Sequence, residues 1–273
     1  MPLPQLTRSA RPATVSIAAT NERGEQTSTL IAGEHALTIY LDRREIVTLM
    51  TMGAAPEALV LGYLRNQRLI ADIEEIAAVQ VDWETDSAAV TTRTGAHDID
   101  AQMGRRTVTS GCGQGTMFGD LMQSIEQTRL PEGGRLASAT LATLLDRVRQ
   151  HESVYKQAGA VHGCALADAD GNILMFVEDV GRHNAVDAIA GQMWLEGVVG
   201  GDKIFYTTGR LTSEMVIKAA QMGIPFLVSR SGLTQMGFEI AERLGLTMIG
   251  RAHAGRYLLF TGQQRFVRDE ANG

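Results

Sequence analysis

Cysteine is scarce in this sequence: its 273 residues include only two, Cys112 and Cys164. Two cysteines cannot form the disulfide framework of a small secreted domain, and neither belongs to a paired spacing such as CxxC that binds metal ions. The sequence therefore predicts a protein of the reducing cytoplasm.

Long apolar runs are also missing. The first 30 residues carry arginines and polar residues throughout, without the apolar stretch that a signal peptide requires. Elsewhere, no segment approaches the roughly 20 consecutive apolar residues that a membrane-spanning helix needs. We therefore expect neither secretion nor a membrane partner.

A general excess of positive charge is absent as well, because the formal net charge is −6. Binding to duplex nucleic acid depends on a strong basic field, so we expect no nucleic-acid partner. Residues 201–260 nevertheless carry seven Lys or Arg against four Asp or Glu, a local charge of +3, which leaves −9 for the remainder. This uneven distribution predicts that the C-terminal part receives a small anion.

Several common catalytic motifs do not occur. The sequence has no GxxxxGK phosphate loop, no HExxH helix and no GxSxG turn. A zinc deaminase would need an HxE element and a PCxxC element, and neither is present, although the order of predicted elements is compatible with that fold. Because the six histidines are also scattered, the sequence predicts no metal site.

Hydrophobic periodicity and turn residues divide the chain into four parts. These are a flexible tail over residues 1–30, a small α+β domain over 31–105, a cysteine loop with connecting helices over 106–150, and a layered α/β domain over 151–273. In the α+β domain we predict strands at 37–41, 46–50, 79–81 and 88–92, and a helix from Pro56 to about residue 69. In the connecting part we predict helices at 118–129 and from Ser138, which has the side chain of a good N-cap.

The last part has the alternation that is typical of a layered α/β domain with a largely parallel sheet. Apolar runs at 160–167 and 173–177 are joined by DADGN, which predicts a hairpin. Helices are then predicted at 184–196, 213–222 and 234–244, and strands at 203–207, 225–228 and 246–249.

Arginines follow each of these last three predicted strands, at Arg210, Arg230 and Arg251. Ligands of open α/β sheets bind beyond the carboxyl ends of the strands. A single arginine there could simply mark a polar loop, but three in phase favour an anion site of the kind that binds phosphate.

The segment VEDVGRHNAVD, residues 177–187, is more polar than a strand-to-helix turn requires. Asn184 can be explained as a helix N-cap and Asp187 as a first-turn acid. Arg182 and His183 remain as candidates for contact with a ligand or for catalysis.

The two cysteines have opposite settings. Cys112 lies in TSGCGQGT between two glycines, so its sulfur can be approached closely, as thiol transfer requires. A small residue that merely occupies a turn is an equally weighted interpretation. Cys164 lies in a predicted strand, which favours a buried and inert thiol.

Several segments match one family in order and spacing: LTIYLDRREIVTLM, AVHGCAL, VEDVGRHNAVD, TTGRLTSEMVIKAAQMGIPFLVSRSG and LGLTMIGRAHAGRYLLFTG. Together they resemble the FdhD family, the sulfur carrier proteins that mature formate dehydrogenase. The likeness spans about residues 35–262.

The resemblance implies a protein that accepts sulfur as a persulfide from a cysteine desulfurase. It implies transfer of that sulfur to the molybdenum cofactor, in its bis(molybdopterin guanine dinucleotide) form, for formate dehydrogenase. It also implies a cytidine-deaminase-like C-terminal domain without zinc chemistry, an affinity for guanine nucleotides, and a homodimer.

By the same resemblance, the persulfide cysteine falls on Cys112. The cofactor-binding stretch falls on Arg251, Ala252, His253, Ala254, Gly255 and Arg256, beside Arg210 and Arg230. The family usually has CxxC at the loop, where this chain has Gly115 as the second position. The family also tends to begin the cofactor stretch with an aromatic residue and to place arginine third, where Arg251 and His253 stand here.

One thiol is enough to hold a persulfide. Two alternatives remain open, the first of them because the second cysteine is missing. The first is a chaperone that binds the molybdenum cofactor without transferring sulfur. The second is a thiol hydrolase or redox sensor that uses Cys112, which would have no affinity for guanine nucleotides.

Overall fold

The structure is a computed structural model that describes residues 3–95, 107–108, 115–116 and 128–268. Within these residues the α-helices are α1 (Pro56–Asn66), α2 (Ser138–Gln150), α3 (Val154–Ala158), α4 (Arg182–Glu196), α5 (Ser213–Gln221) and α6 (Gln235–Leu244). The first nine strands are β1 (Gln5–Leu6), β2 (Thr14–Thr20), β3 (Gln26–Ala32), β4 (His35–Leu41), β5 (Arg44–Thr51), β6 (Ile76–Asp82), β7 (Ser87–Thr92), β8 (Thr107–Val108) and β9 (Gly115–Thr116). The remaining strands are β10 (Leu136–Ala137), β11 (His162–Ala167), β12 (Ile173–Asp179), β13 (Ile204–Thr207), β14 (Phe226–Ser229), β15 (Thr247–His253), β16 (Arg256–Thr261) and β17 (Phe266–Val267).

The chain forms two compact units that interleave along the sequence. Unit 1 comprises Met1–His97, Glu152–Gly163 and Val177–Gly191, and unit 2 comprises Asp98–His151, Cys164–Phe176 and Gln192–Gly273. The sequence predicted contiguous parts, whereas β11, β12 and α4 each begin in one unit and end in the other.

Unit 1 contains a five-stranded mixed sheet in the order β1-β6-β7-β4-β5. The alternation that predicted its strands is confirmed in β4, where Leu37, Ile39 and Leu41 are fully buried and their neighbours are partly exposed. Helix α1 begins at Pro56 as predicted but ends at Asn66, because the chain turns at Arg68, which has a φ of 57°. The predicted tail includes β1, which pairs with β6, and an antiparallel hairpin of β2 and β3.

Unit 2 contains a six-stranded mixed sheet in the order β12-β11-β13-β14-β15-β16. The three central strands β13, β14 and β15 are parallel as predicted, whereas β11 and β16 pair with them in the antiparallel sense. The predicted hairpin is present, since β11 and β12 are neighbours joined by a turn in which the Asp168 amide donates to Asn172 O at 3.0 Å.

Helix α2 covers one face of this sheet. The core there consists of Leu136, Leu141, Leu144, Ala165, Ala167, Ile204, Tyr206, Phe226, Val228, Ile249, Ala252 and Phe266. Ser138 is the first residue of α2, and Ala137 takes the N-cap position instead of the predicted serine. The helix predicted at residues 118–129 lies outside the described residues.

None of the helices in the described part of the chain combines the length and hydropathy needed to span a lipid bilayer.

Candidate functional site

Five basic side chains lie at the carboxyl edge of the parallel strands in unit 2, and we call them the arginine edge: Arg210, Arg230, Arg251, His253 and Arg256. All five are exposed. Strands β13, β14 and β15 are parallel neighbours, so the chain segments that follow them meet at one edge of the sheet. The structure thus brings together the basic residues that the sequence predicted as cofactor-binding.

Their positions differ in detail from the predicted pattern of one arginine after each strand. Arg230 directly follows β14 and Arg210 lies three residues beyond β13, but Arg251 lies inside β15. Strand β15 is longer than predicted because it continues to His253 in pairing with β16, across an irregularity between Gly250 and His253. Arg251 has a φ of 52° at this irregularity.

The strands β15 and β16 are joined by a tight turn at Ala254 and Gly255, which have φ values of 50° and 75°. Two consecutive residues with positive φ are typical of a type I′ hairpin turn. The paired residues His253 and Arg256 flank this turn, so both side chains are carried on a regular hairpin. Ala252 is 1% exposed and packs into the core, so its side chain is not available at the edge.

Backbone hydrogen bonds join the three segments that carry the arginines. The Arg230 amide donates to Thr207 O at 3.2 Å, the Arg251 amide donates to Ser231 O at 2.8 Å, and the Leu211 amide donates to Gly232 O at 3.0 Å. The positions of these segments are therefore coupled, which favours a defined arrangement of charge over independent mobile loops.

Tyr206 lies one residue before the end of β13 and is 3% exposed. Burial is the main cause that raises the pKa of Tyr206, and the positive charge of Arg230 acts in the opposite direction. The phenol group therefore remains a neutral group at neutral pH, close enough to Arg230 to be affected by its charge.

Cys164 is fully buried in β11, as predicted. Its Sγ donates to the hydroxyl Oγ1 of Thr207 at 3.4 Å, and Thr207 is its direct partner across the sheet. A buried thiol with a hydrogen-bond partner is not placed to exchange sulfur with another protein.

The polar segment at residues 177–187 supports the structure of unit 1. The carboxylate of Asp179 accepts hydrogen bonds from Thr51 Oγ1 at 2.5 Å, the Met52 amide at 3.2 Å, the Gly181 amide at 3.1 Å and Asn184 Nδ2 at 2.9 Å. Burial is the main cause that raises the pKa of Asp179, and these four hydrogen bonds counteract it. The carboxylate thus joins β5, the end of β12 and the start of α4.

Other residues of this segment have similar contacts. Glu178 accepts from the Val154 amide at 2.5 Å and the Tyr155 amide at 3.1 Å, so it satisfies donors at the start of α3. Asp187 is fully buried and accepts from Asn66 Nδ2 at 2.7 Å. Contacts within unit 1 therefore account for the three acidic residues of the segment.

The predicted N-cap role of Asn184 is wrong. Helix α4 begins at Arg182, and the Asn184 side chain instead donates to Met50 O at 2.7 Å and to Asp179. Arg182 and His183, which the sequence left as candidates for ligand contact, are 6% and 3% exposed in the first turn of α4. Their burial favours a structural role.

Thr51→Val is expected to lower the free energy of unfolding by about 1.5–3 kcal/mol, because it removes a buried hydrogen bond to a charged group while keeping the side-chain shape. Urea denaturation measures this change. Thr48→Val is the matched control, since Thr48 lies on the same strand but is exposed, and its hydroxyl shares a hydrogen bond of 2.9 Å with that of Thr38.

The effect of Thr51→Val should also depend on pH. A carboxyl group whose pKa is raised by folding stabilises the fold fully below its ordinary pKa of 3.8, and this contribution is lost as the pH rises through the folded value. Losing the Thr51 hydroxyl raises the folded pKa of Asp179 further, so the difference between variant and wild type should be larger at neutral pH than in mild acid. If the free energies of unfolding of variant and wild type differed equally at neutral pH and in mild acid, this account of Asp179 would be wrong.

The predicted sulfur-carrying residue, Cys112, lies outside the described residues. Gly115, which occupies the second position of the family's CxxC, lies in the short strand β9 and pairs with Val108 of β8. Among the described residues, no group of three or more His, Cys, Asp or Glu is arranged to hold a metal ion.

Comparison with known proteins decides the relationship. The model of the FdhD/NarQ family matches residues 32–267. The chain belongs to the FdhD/NarQ family. The family resemblance predicted from the sequence over about residues 35–262 is thereby confirmed.

Individual relatives of this family match along most of their length. The chain is 28% identical over 239 residues to the sulfur carrier protein FdhD of Listeria monocytogenes, covering 87% of this chain and 91% of that protein. It is 29% identical over 234 residues to the sulfur carrier protein FdhD of Bacillus subtilis, covering 85% and 88%. Both relatives are therefore matched across the chain and not through a single motif.

A solved structure agrees with this assignment. A protein from Desulfotalea psychrophila described as a formate dehydrogenase accessory protein matches with a TM-score of 0.74 and 25% identity, covering 94% of this chain and all of that one. The mixed α/β fold is thus shared with a structure of that description.

Proposed function

We propose that this protein is a sulfur carrier that receives sulfur on Cys112 and delivers it to the molybdenum cofactor destined for formate dehydrogenase. The observation that carries the proposal is membership of the FdhD/NarQ family, with relatives named sulfur carrier protein FdhD. The structural relative described as a formate dehydrogenase accessory protein supports the same destination.

In the first proposed step, the Cys112 thiolate attacks the outer sulfur of a persulfide held by a cysteine desulfurase. A new S–S bond forms on Cys112, the S–S bond of the desulfurase breaks, and the desulfurase cysteine leaves as a thiolate. The exchange consumes no oxidant or reductant, because one S–S bond replaces another.

In the second proposed step, the outer sulfur leaves Cys112 for the metal of the cofactor, and Cys112 returns to the thiolate. The outer sulfur is at oxidation level zero, so its arrival as sulfide takes up two electrons. A reduced metal centre or an added thiol reductant supplies them. Cys112 alone is sufficient for both steps, which is consistent with Gly115 in the position of a second cysteine.

The cofactor is the substrate in this scheme, and its guanine dinucleotide arms carry pyrophosphate groups. The arginine edge fits such a polyanion, because arginine guanidinium groups bind phosphate oxygens in pairs and remain charged at all physiological pH values. His253 stands where the family tends to have arginine. We propose that this edge holds the nucleotide arms.

Two finer expectations remain part of the proposal. One is that the C-terminal domain predicted over residues 151–273 has the layering of cytidine deaminases without their zinc chemistry, which is supported by its mixed sheet with helices and by the missing HxE and PCxxC elements. The other is that the protein acts in the cytoplasm, where a desulfurase and an unassembled formate dehydrogenase would meet it.

Mass spectrometry of the protein after incubation with a cysteine desulfurase and free cysteine tests the sulfur step. We expect Cys112 to gain one sulfur atom, and the gain to disappear after treatment with a thiol reductant. Cys164→Ala should label normally, because Cys164 is buried and hydrogen-bonded to Thr207. Cys112→Ala should not label.

Absence of the added sulfur on Cys112 in the Cys164→Ala protein would overturn sulfur transfer. If that protein still bound GDP, the result would favour a chaperone that binds the cofactor without transferring sulfur. The missing second cysteine of the loop is the observation that supports this alternative. If it neither gained sulfur nor bound GDP, both forms of the proposal would be wrong.

A further inference from the structure

Two buried hydroxyl groups end the neighbouring strands β13 and β14. Thr207 and Ser229 are direct partners across these strands, and both are fully buried. Each hydroxyl oxygen accepts a hydrogen bond from the amide two residues further on, from Gly209 at 3.0 Å and from Ser231 at 2.9 Å. The two strands therefore end in the same local arrangement, which shapes the segments that carry Arg210 and Arg230.

Ser229 makes one contact that Thr207 does not supply. Its hydroxyl also donates to Gly209 O at 2.6 Å, across to the segment that follows β13. One side chain thus fixes Gly209, the residue before Arg210, and Ser231, the residue after Arg230. Because the Arg251 amide donates to Ser231 O at 2.8 Å, the same connection extends to the third arginine.

The result is a continuous series of hydrogen bonds across four strands. It runs from the Cys164 thiol to the Thr207 hydroxyl, through Gly209 to the Ser229 hydroxyl, and through Ser231 to the Arg251 amide. The three arginine side chains themselves are exposed, so their spacing depends on the backbone that carries them. Ser229 is the only side chain in the series that contacts two of the arginine-bearing segments at once.

We infer that Ser229 is a positioning residue of the arginine edge: its hydroxyl sets the spacing of Arg210, Arg230 and Arg251 so that they bind one phosphate-bearing ligand together. The inference rests on the proposed function, since it assigns a role within the proposed nucleotide site. Ser229 is fully buried and acts only through the loops that it joins.

Loss of this hydroxyl should weaken binding without removing any charge. A typical intramolecular hydrogen bond contributes about 0.5–1.5 kcal/mol, so we expect Ser229→Ala to lower the affinity for GDP and for inorganic pyrophosphate by a factor of about 2 to 12. The salt dependence of the affinity should also become shallower, because fewer guanidinium groups contact the anion at the same time. Isothermal titration calorimetry over a range of salt concentrations measures both.

Thr261→Val provides a matched control in the same sheet. The Thr261 hydroxyl donates to Leu246 O at 2.6 Å and accepts from the Met248 amide at 3.0 Å, so at the opposite end of β15 it has the same donor and acceptor roles toward backbone groups as Ser229. It is 4% exposed. This variant should lose comparable stability in urea denaturation, yet keep the wild-type affinity and salt dependence.

A graded series keeps the test decisive if Ser229→Ala folds poorly. Ser229→Thr should keep the wild-type affinity, because threonine retains a hydroxyl group that can donate to Gly209 O and accept from the Ser231 amide. Ser229→Cys should be intermediate, because a thiol is a weaker donor and acceptor. We therefore expect the affinity for GDP and pyrophosphate to be highest with serine or threonine at position 229, lower with cysteine and lowest with alanine.

The outcomes separate this inference from the proposal on which it rests. If the wild-type protein binds GDP and pyrophosphate but Ser229→Ala binds them equally well with unchanged salt dependence, the positioning role is wrong and the proposed site stands. An equal loss of affinity in Thr261→Val would also overturn it, since the effect would then follow stability alone. If the wild-type protein binds neither probe, the proposed nucleotide site and the positioning role are both wrong.

Discussion

Replacing Gly62 by alanine is expected to destabilise unit 1 by about 3 kcal/mol or more, although alanine is normally the better helix former. Helices α1 and α4 approach each other so closely at this point that a Cβ atom on Gly62 would lie 1.6 Å from the carbonyl oxygen of Asp187. The obstacle is backbone, which cannot rotate away as a side chain can. Overpacking of a core costs about 1–3 kcal/mol even where side chains can adjust, so a larger cost is expected here.

The contact is reciprocal, which makes the prediction sharper. A Cβ atom on Gly191 of α4 would lie 1.9 Å from Ala58 O of α1. Arg65 Nη1 of α1 also donates to Ala190 O at 3.0 Å, so the crossing is held by a hydrogen bond next to it. Gly191→Ala should therefore have an effect similar to that of Gly62→Ala.

Urea denaturation followed by circular dichroism measures both variants. Gly133→Ala is the matched control, because a Cβ atom there meets nothing within 4 Å and the residue is exposed. In an ordinary helix interior, glycine to alanine would raise stability by about 0.8–1.0 kcal/mol. Unchanged or higher stability of Gly62→Ala would mean that the two helices are not packed as closely as the structure has them.

This helix crossing could not be predicted from the sequence. The amphipathic pattern and Pro56 predict α1, and the run after residue 184 predicts most of α4, since both signals are local. Gly62 and Gly191 are visible as glycines within helices, but nothing local indicates that they face each other. Pairing of segments far apart in the chain depends on packing, which is also why the interleaving of the two units was missed.

The same difference between local signals and long-range pairing explains which parts of the candidate site could be predicted. The carboxyl ends of β13 and β14 were predicted closely enough to place Arg210 and Arg230 at one edge, because short apolar runs bounded by glycine and polar residues are a local signal. The extension of β15 past Arg251 depends on pairing with β16, and local periodicity does not report it. Ala252 belongs to the core, although the family resemblance placed it in the cofactor-binding stretch.

Hydroxyl and amide side chains were the least predictable part. A local rule assigns Asn184 to an N-cap, but its side chain instead donates to the nearby Asp179 carboxylate and to Met50 O, which is distant in the sequence. No local pattern distinguishes Thr207 or Ser229 by itself, since single hydroxyl residues at strand ends are common. One sequence pattern could have indicated them. A hydroxyl residue ends each of two neighbouring strands, and an arginine follows within three positions.

Cys112→Ala is expected to reduce formate dehydrogenase activity to background in cells where this protein is the sole member of its family. The variant removes the thiolate that would receive and release the sulfur, and the chain has only one other cysteine. That residue, Cys164, is fully buried and its thiol donates to Thr207, so it cannot replace Cys112. The loss should therefore be nearly complete and not partial.

Three further strains show which step is responsible for a loss of formate dehydrogenase activity. Cys164→Ala should retain most activity, which would assign the sulfur step to Cys112 alone. Gly115→Cys, which restores the family's CxxC, should leave activity close to wild type, because one sulfur atom can arrive on and leave from the same thiol. A combined Arg230→Gln and Arg251→Gln variant should lose activity while still gaining sulfur on Cys112, since only cofactor binding is impaired.

The pattern across these strains distinguishes a sulfur carrier from a cofactor chaperone. A carrier needs both the thiol and the arginine edge, so either loss abolishes activity, whereas a chaperone needs the edge alone. Normal formate dehydrogenase activity in the Cys112→Ala strain, together with loss in the arginine variant, would therefore reject sulfur transfer and leave the nucleotide site as the functional part of the molecule. If Gly115→Cys raised activity strongly, a second thiol would be limiting, and the single-cysteine mechanism would be incomplete.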